Sequence, residues 1–228
     1  MRSRPHLLLT RAAGQNDAAR AVLADLAELT ELPLIAFEGL PHALPTRFDR
    51  VVITSATVLQ FLDVDALGDV PVAAVGPRTQ QACLAAGLRV DVVPKQALAG
   101  ALLQALGAAG AVRGQRVFYP RAEDVSPDLE QGLRSAGAVL TSVAVYRTIC
   151  PAGARAALNK LGTLDGVLLA SGSAAAHLYR IGGGDLPVFC IGPSTEKVAR
   201  DLGFEVLGVA QIHTSLGLAH CVLESAVF

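Results

Sequence analysis

The residues of this chain best placed to do chemistry are hydroxyls, glycines and two arginines, and they recur at a fixed spacing. Val72-Ala-Ala-Val-Gly76-Pro-Arg-Thr79 is written again 116 positions later as Val188-Phe-Cys-Ile-Gly192-Pro-Ser-Thr195. Each copy reads as an apolar strand that breaks at glycine, a proline that presets the first helical turn, and a threonine beside that turn. Amides at a helix N-terminus next to a hydroxyl hold anionic groups such as carboxylates. The same spacing carries Ser55, in Val52-Ile-Thr54-Ser, onto Ser171, in Leu168-Leu-Ala-Ser-Gly-Ser173, and Gly87 onto Gly203. A second relation, of 110 positions, carries Thr10-Arg11-Ala12 onto Pro120-Arg121-Ala122 and Ile35 onto Val145. Strand-to-helix turns use Ser, Thr and Gly for backbone reasons alone. Their repetition in both halves, at one end of the expected sheets, points to a ligand site.

Strands that can hold such turns are expected at 7–10, 34–37, 50–53, 72–75, 90–93, 116–119, 143–147, 166–169, 188–191 and 205–207. Helices open near Thr57, Thr79, Ala97, Pro127, Ser173, Thr195 and Ser215. A further helix is capped by Asn16 or Asp17, carries Val22, Leu26 and Leu29 on one face, and closes at Pro33. This alternation predicts the α/β class, with parallel sheets covered on both faces. One repeat half is contiguous and the other is split between the two ends of the chain. The topology that follows is two flavodoxin-like parallel-sheet domains, the middle one inserted into the outer one. The outer domain comprises 1–35 plus 150–228 and the inserted domain 38–146, joined by crossover strands near 34–37 and 143–147. Such sheets bind ligands beyond the carboxyl ends of their strands, so the site is expected in a cleft between the two domains.

Composition narrows the function classes. A net charge of −1 supplies no electrostatic footprint for nucleic acid or an anionic membrane surface. Three leucines before Arg11 are too few for a secretory signal, so the chain is expected in the cytoplasm. The apolar stretch 96–112 is too short to span a bilayer. Cys83, Cys150, Cys190 and Cys221 lack metal-ligand spacing, and His6, His42, His177, His213 and His220 are isolated. There is no GxSxG, Walker loop or HExxH, and no carboxylate pair stands out. Tyr146 reads from its position as a packing residue on a crossover strand, although its counterpart 110 positions earlier is Ala36. From the residues alone two classes stay open: an enzyme, or a non-catalytic two-lobed cytoplasmic small-molecule binding or sensor protein.

The order of these motifs resembles the uroporphyrinogen-III synthase family. The resemblance rests on Thr10-Arg11, Val52-Ile-Thr-Ser55, the paired Gly-Pro-x-Thr turns, Val143-Ala-Val-Tyr146-Arg-Thr148 and Ser171-Gly-Ser173, and it covers essentially the whole chain. It implies a cyclising lyase that converts hydroxymethylbilane to uroporphyrinogen III, inverting ring D through a spiro intermediate, with no metal and no organic cofactor. It also implies a monomer that takes its substrate from the preceding enzyme of the pathway. Tyr146 is then the catalytic proton donor. Arg11, Thr54, Ser55, Gly76, Thr79, Ser171, Ser173, Gly192 and Thr195 are the substrate-binding residues. The chain departs from the family at Ala12, where proline is usual, and at Ala170-Ser-Gly-Ser173, where Thr-Ser-Pro-Ser is usual. Gly172 is expected to loosen that turn, and Ala170 removes a hydroxyl.

Overall fold

Leu7, Leu8 and Leu9 are each at most 1% exposed. A strand sends successive side chains to opposite faces, so this run needs cover on both sides. In the computed structural model, which describes residues 4–12 and 14–225, the three leucines form β1 (His6–Leu9). Leu8 joins one hydrophobic cluster and Leu7 and Leu9 join another. Residues 1–3, 13 and 226–228, assigned to the outer domain from the sequence, lie outside the described residues.

The chain continues through α1 (Asp17–Leu23), β2 (Glu28–Glu31), β3 (Ala36–Gly39), β4 (Arg50–Ile53), β5 (Val72–Ala74), α2 (Pro77–Ala85), β6 (Val90–Val92), α3 (Ala99–Ala108), β7 (Arg116–Ala122) and α4 (Asp128–Ser135). It ends through β8 (Val139–Ile149), α5 (Ala154–Leu158), β9 (Gly166–Leu169), α6 (Gly172–Arg180), β10 (Val188–Cys190), α7 (Pro193–Asp201), β11 (Val206–Val209) and α8 (Ser215–Leu223). Near Thr57 the chain makes a five-residue 3-10 turn, Ala56–Gln60, where an α-helix was expected. The expected helix from Asp17 to Pro33 is also corrected. It stops at Leu23, and Leu29 lies instead in β2, paired in parallel with Leu7. Leu26, which the helical stripe would bury, is 46% exposed. The free edge of β1 outweighs the local periodicity.

Two compact units result, Met1–Ala36 with Ile149–Phe228 and Phe37–Thr148. The first holds a wholly parallel sheet in the order β11-β10-β9-β1-β2. Counted within the unit this is 2-1-3-4-5, the flavodoxin-like order. The second holds β3-β8-β7-β4-β5-β6. By the repeat, β9, β10 and β11 match β4, β5 and β6, while β1 and β2 match β7 and β8. The five matched strands therefore stand in the same spatial order in both sheets, although the chain enters each at a different strand. β3 adds a strand beyond β8.

Helices cover both faces of each sheet. In the first unit α5, α6 and α7 pack on Leu8, Val167 and Leu169, and α1 and α8 on Leu7, Leu9 and Phe189. In the second, Leu102 and Leu106 of α3, four residues apart on one helical face, meet Leu129 and Leu133 of α4 over Val52 and Val117. Burying each such side chain contributes about 1.5–3 kcal/mol. One polar exception lies under the second sheet. Arg50 is 5% exposed and binds both carboxylate oxygens of Asp91, at 2.6 and 2.8 Å, tying β4 to β6. The matching place in the first unit is apolar. There Gly166 stands for Arg50, and a Cβ on it would come within 2.8 Å of the Phe189 ring.

Candidate functional site

Because β4, β5, β7 and β8 run parallel, the turns that leave them collect at one end of the second unit. Thr54 and Ser55 follow β4. Ser55 has an extended backbone, with φ −149° and ψ 135°, and its Oγ accepts the Thr57 amide at 3.2 Å, capping the 3-10 turn. Gly76 precedes Pro77 at the start of α2 and has no side chain with which to cap that helix. Its φ of −178° suits any residue. What requires glycine is contact, since a Cβ would sit 2.7 Å from that of Ala97. Thr79, in the first turn of α2, is 7% exposed.

Tyr146 belongs to the same end. It pairs in register with Ala122, the last residue of β7, and lies beyond the paired part of β4. Its ring stacks on Phe61 with centroids 5.3 Å apart and meets Phe37 edge-on at 5.5 Å. Tyr146 is 6% exposed. A second phenol, not singled out from the sequence, lies nearby on β7. The Tyr119 hydroxyl is 3.4 Å from Thr54 Oγ1, and burial pushes its pKa up, against the Thr54 hydrogen bond and the charge of Arg121, which lower it. Arg121 is itself held by Glu130 and Ser142, at 2.7 and 2.9 Å.

The first unit gathers its own set. Ser171 repeats the Ser55 geometry, with φ −164° and ψ 157°, and accepts the Ala174 amide at 3.1 Å to cap α6. The cap is therefore formed with Gly172 in the turn. A Cβ on Gly172 would come within 2.9 Å of Val198, so glycine there lets α6 and α7 pack closely. Ser173 is exposed in the first turn of α6. Gly192 opens α7 as Gly76 opens α2, excluded from bearing a side chain by the His213 ring at 2.9 Å. Thr195 is 2% exposed.

Between β1 and β9, where strand order reverses, Thr10 Oγ1 donates to Leu168 O at 2.6 Å. Arg11 follows and turns toward α8. Its guanidinium donates to Ser215 Oγ and to Gln15 Oε1. Arg11, Asn16 and Ser215 line a small cavity of about 10 Å³. Arg11 is thus linked with α8, whereas Ser171, Ser173, Gly192 and Thr195 stand at the starts of α6 and α7. Ser215 and Asn16 carried no functional signal in the sequence beyond helix-opening positions. Tyr119 did carry one, since its counterpart 110 positions earlier is Leu9.

Among the described residues, no three His, Cys, Asp or Glu side chains gather as a metal site requires, and no helix is long and apolar enough to cross a membrane.

The chain is similar to known proteins over most of its length. Residues 17–220 match the protein-family description "Uroporphyrinogen-III synthase HemD". The uroporphyrinogen-III synthase of Synechococcus elongatus is 28% identical, over 93% of this chain and 92% of its own length. The crystal structure of uroporphyrinogen-III synthetase from Helicobacter pylori superposes with a TM-score of 0.70 at 15% identity, over 96% of this chain and 98% of the other. A mutant uroporphyrinogen III synthase from Thermus thermophilus gives 0.60 at 16% identity, over 95% and 96% of the two chains.

Proposed function

Since the chain belongs to the uroporphyrinogen-III synthase family of cyclising lyases, we propose that it closes hydroxymethylbilane to uroporphyrinogen III with inversion of ring D through a spiro intermediate. The observation that carries this reading is Tyr146, a phenol at the carboxyl end of a parallel sheet, stacked on Phe61 where the repeat has Ala36.

A phenol positioned at the reacting end of the substrate can give its proton to a leaving hydroxyl. Loss of water leaves an azafulvene cation at the end of the bilane. Attack on this cation by the substituted carbon of ring D forms the spiro centre. That centre fragments, recloses in the inverted sense and loses a proton. The protein's part is to hold the chain so that this route outruns direct closure.

The substrate carries many carboxylates, whereas the protein has a net charge of −1. Glycine caps resolve this, because Gly76 and Gly192 leave first-turn amides of α2 and α7 to a ligand. Thr54, Thr79, Ser173 and Thr195 add hydroxyls beside them. The Ser55 and Ser171 oxygens cap their helices and keep a hydroxyl hydrogen to donate. In this reading Arg11 pairs with one of the carboxylates. All four cysteines are free thiols, which suits a reducing cytoplasm. The reading takes the enzyme as a monomer supplied by the preceding enzyme of the pathway. Incubation with hydroxymethylbilane, followed by separation of the oxidised isomers, tests the activity. Isomer III in excess is the expected result, and isomer I alone, the product of unassisted closure, would mark the chain as a binding protein.

A further inference from the structure

The strands that flank the reversal of order in the second unit, β4 and β7, bring together two hydroxyls, Thr54 and Tyr119, 3.4 Å apart. The first unit has Ala170 and Leu9 in their places. Both hydroxyls are therefore missing together from a sheet of the same strand order, and the fold needs neither. A residue that only filled the core at 119 could be a leucine, as Leu9 is.

Tyr119 is 2% exposed, and a phenol buried this far needs a partner to offset its desolvation. Among the described residues its hydrogen-bond partner is Thr54. Burial also raises its pKa, so the phenol holds its proton at neutral pH. When Tyr119 donates that proton to Thr54 Oγ1, the threonine's own hydrogen is turned away from β7. Thr54 is only half-buried and stands past the end of β4, so the hydrogen is presented to whatever binds there.

We propose that Tyr119 is a positioning residue that fixes the Thr54 hydroxyl as an outward donor to a carboxylate of the bilane. This rests on the reading that the chain acts on hydroxymethylbilane. It accounts for a pair of hydroxyls, one deep and one shallow, that occurs only in the unit bearing Tyr146.

Steady-state kinetics on hydroxymethylbilane test it, using Tyr119→Phe, Thr54→Val, the double variant and Tyr119→Leu, with a thermal midpoint for each. Tyr119→Phe should raise KM about 3- to 10-fold, the effect of one hydrogen bond of ordinary net strength, with a smaller change in kcat. Thr54→Val should do at least as much, and the double variant should be no worse than Thr54→Val, because Tyr119 acts through Thr54. An unchanged KM in Tyr119→Phe, or multiplying effects in the double variant, overturns the proposal. If Tyr119→Phe does not fold, Tyr119→Leu carries the same comparison, and failure of both to fold makes Tyr119 a structural residue and overturns it too. Isomer III from the wild type keeps the reading of function intact whatever the variants do. Isomer I alone from the wild type removes that reading, and the proposal with it.

Discussion

The two units share five strands in one spatial order, yet they are furnished differently where that order reverses. Ser55 and Ser171, Gly76 and Gly192, and Gly87 and Gly203 agree in both identity and conformation. These are positions the backbone itself demands: a cap, a close approach, and a left-handed residue with φ +80° or +87° that ends a helix. Tyr146 and Ala36, Tyr119 and Leu9, and Thr54 and Ala170 disagree. Agreement between the units marks what a strand-to-helix turn and an anion held at it both need, and disagreement marks what one unit adds to that common frame. The same contrast runs beneath the sheets, where the second unit pairs the buried Arg50 with Asp91 and the first packs Gly166 against Phe189.

The largest expected effect tests the sharpest of these disagreements. Tyr146→Phe keeps the stacking on Phe61 and the edge contact with Phe37 but removes the proton. Turnover at saturating substrate should fall by about 10²–10⁴-fold, with little change in thermal midpoint. Full activity would leave the second unit with no special part in proton transfer and reduce the enzyme to a template for folding the substrate.

A smaller effect tests the contrast in the cores. Asp91→Ala leaves the Arg50 charge buried and should cost the second unit about 1–3 kcal/mol, less than a fully buried pair because the Asp91 side chain is 38% exposed. The pH dependence should have the same location. Arg116's hydrogen bonds hold Asp49 at about 2. Arg50's hydrogen bond lowers Asp91, and Ser142 and Arg121 lower Glu130. In the first unit Arg20 lowers Glu31. A carboxylate with a depressed pKa contributes stability that is present above the unfolded value of about 4 and lost as pH falls through the folded value. Three such groups against one mean that acid should open the second unit first. Amide exchange followed in each unit from pH 7 to pH 3 checks this, and equal opening of the two units would contradict it.

The smallest effect concerns a position where the units agree. Ser171→Ala should cost about 0.5–2 kcal/mol, whereas Ser55→Ala, which uncaps only a five-residue 3-10 turn, should cost less. Equal losses would mean that capping is not the shared role of these serines.

Much of this was legible in the sequence because the repeat puts two copies of each turn side by side. The Gly-Pro-x-Thr turns and the α/β alternation follow from proline geometry and the periodicity of strands and helices, which are local. What was not legible is non-local. Leu29 satisfies helical spacing, and only the open edge of β1 decides that it belongs to a strand. Val143 to Arg147 read as a short crossover, but β7 extends the pairing so that β8 runs from Val139 to Ile149. Tyr119 carried a signal in its Leu9 counterpart, but its pairing with Thr54 was not legible, because Thr54 is 65 residues away and lies across the sheet. Arg11 was assigned to substrate from its motif. Its link to Ser215 arises only when β1 and α8 are brought together.

The interruption of the first unit also sets an order in time. β1 has β2 as a neighbour almost at once, but its other edge is completed by β9, where Leu7 pairs with Gly166. The whole second unit, Phe37–Thr148, is synthesised in between. At about 5–20 residues per second, the ribosome takes several seconds to deliver that insertion. Through that interval the Leu7–Leu9 strand has neither its full sheet nor the cover of α6, α7 and α8, whereas the second unit has all its strands by the time the interval ends. The insertion therefore makes the earliest part of the chain the last to be buried, and the nascent chain must keep three adjacent leucines from finding another partner until Gly166 emerges.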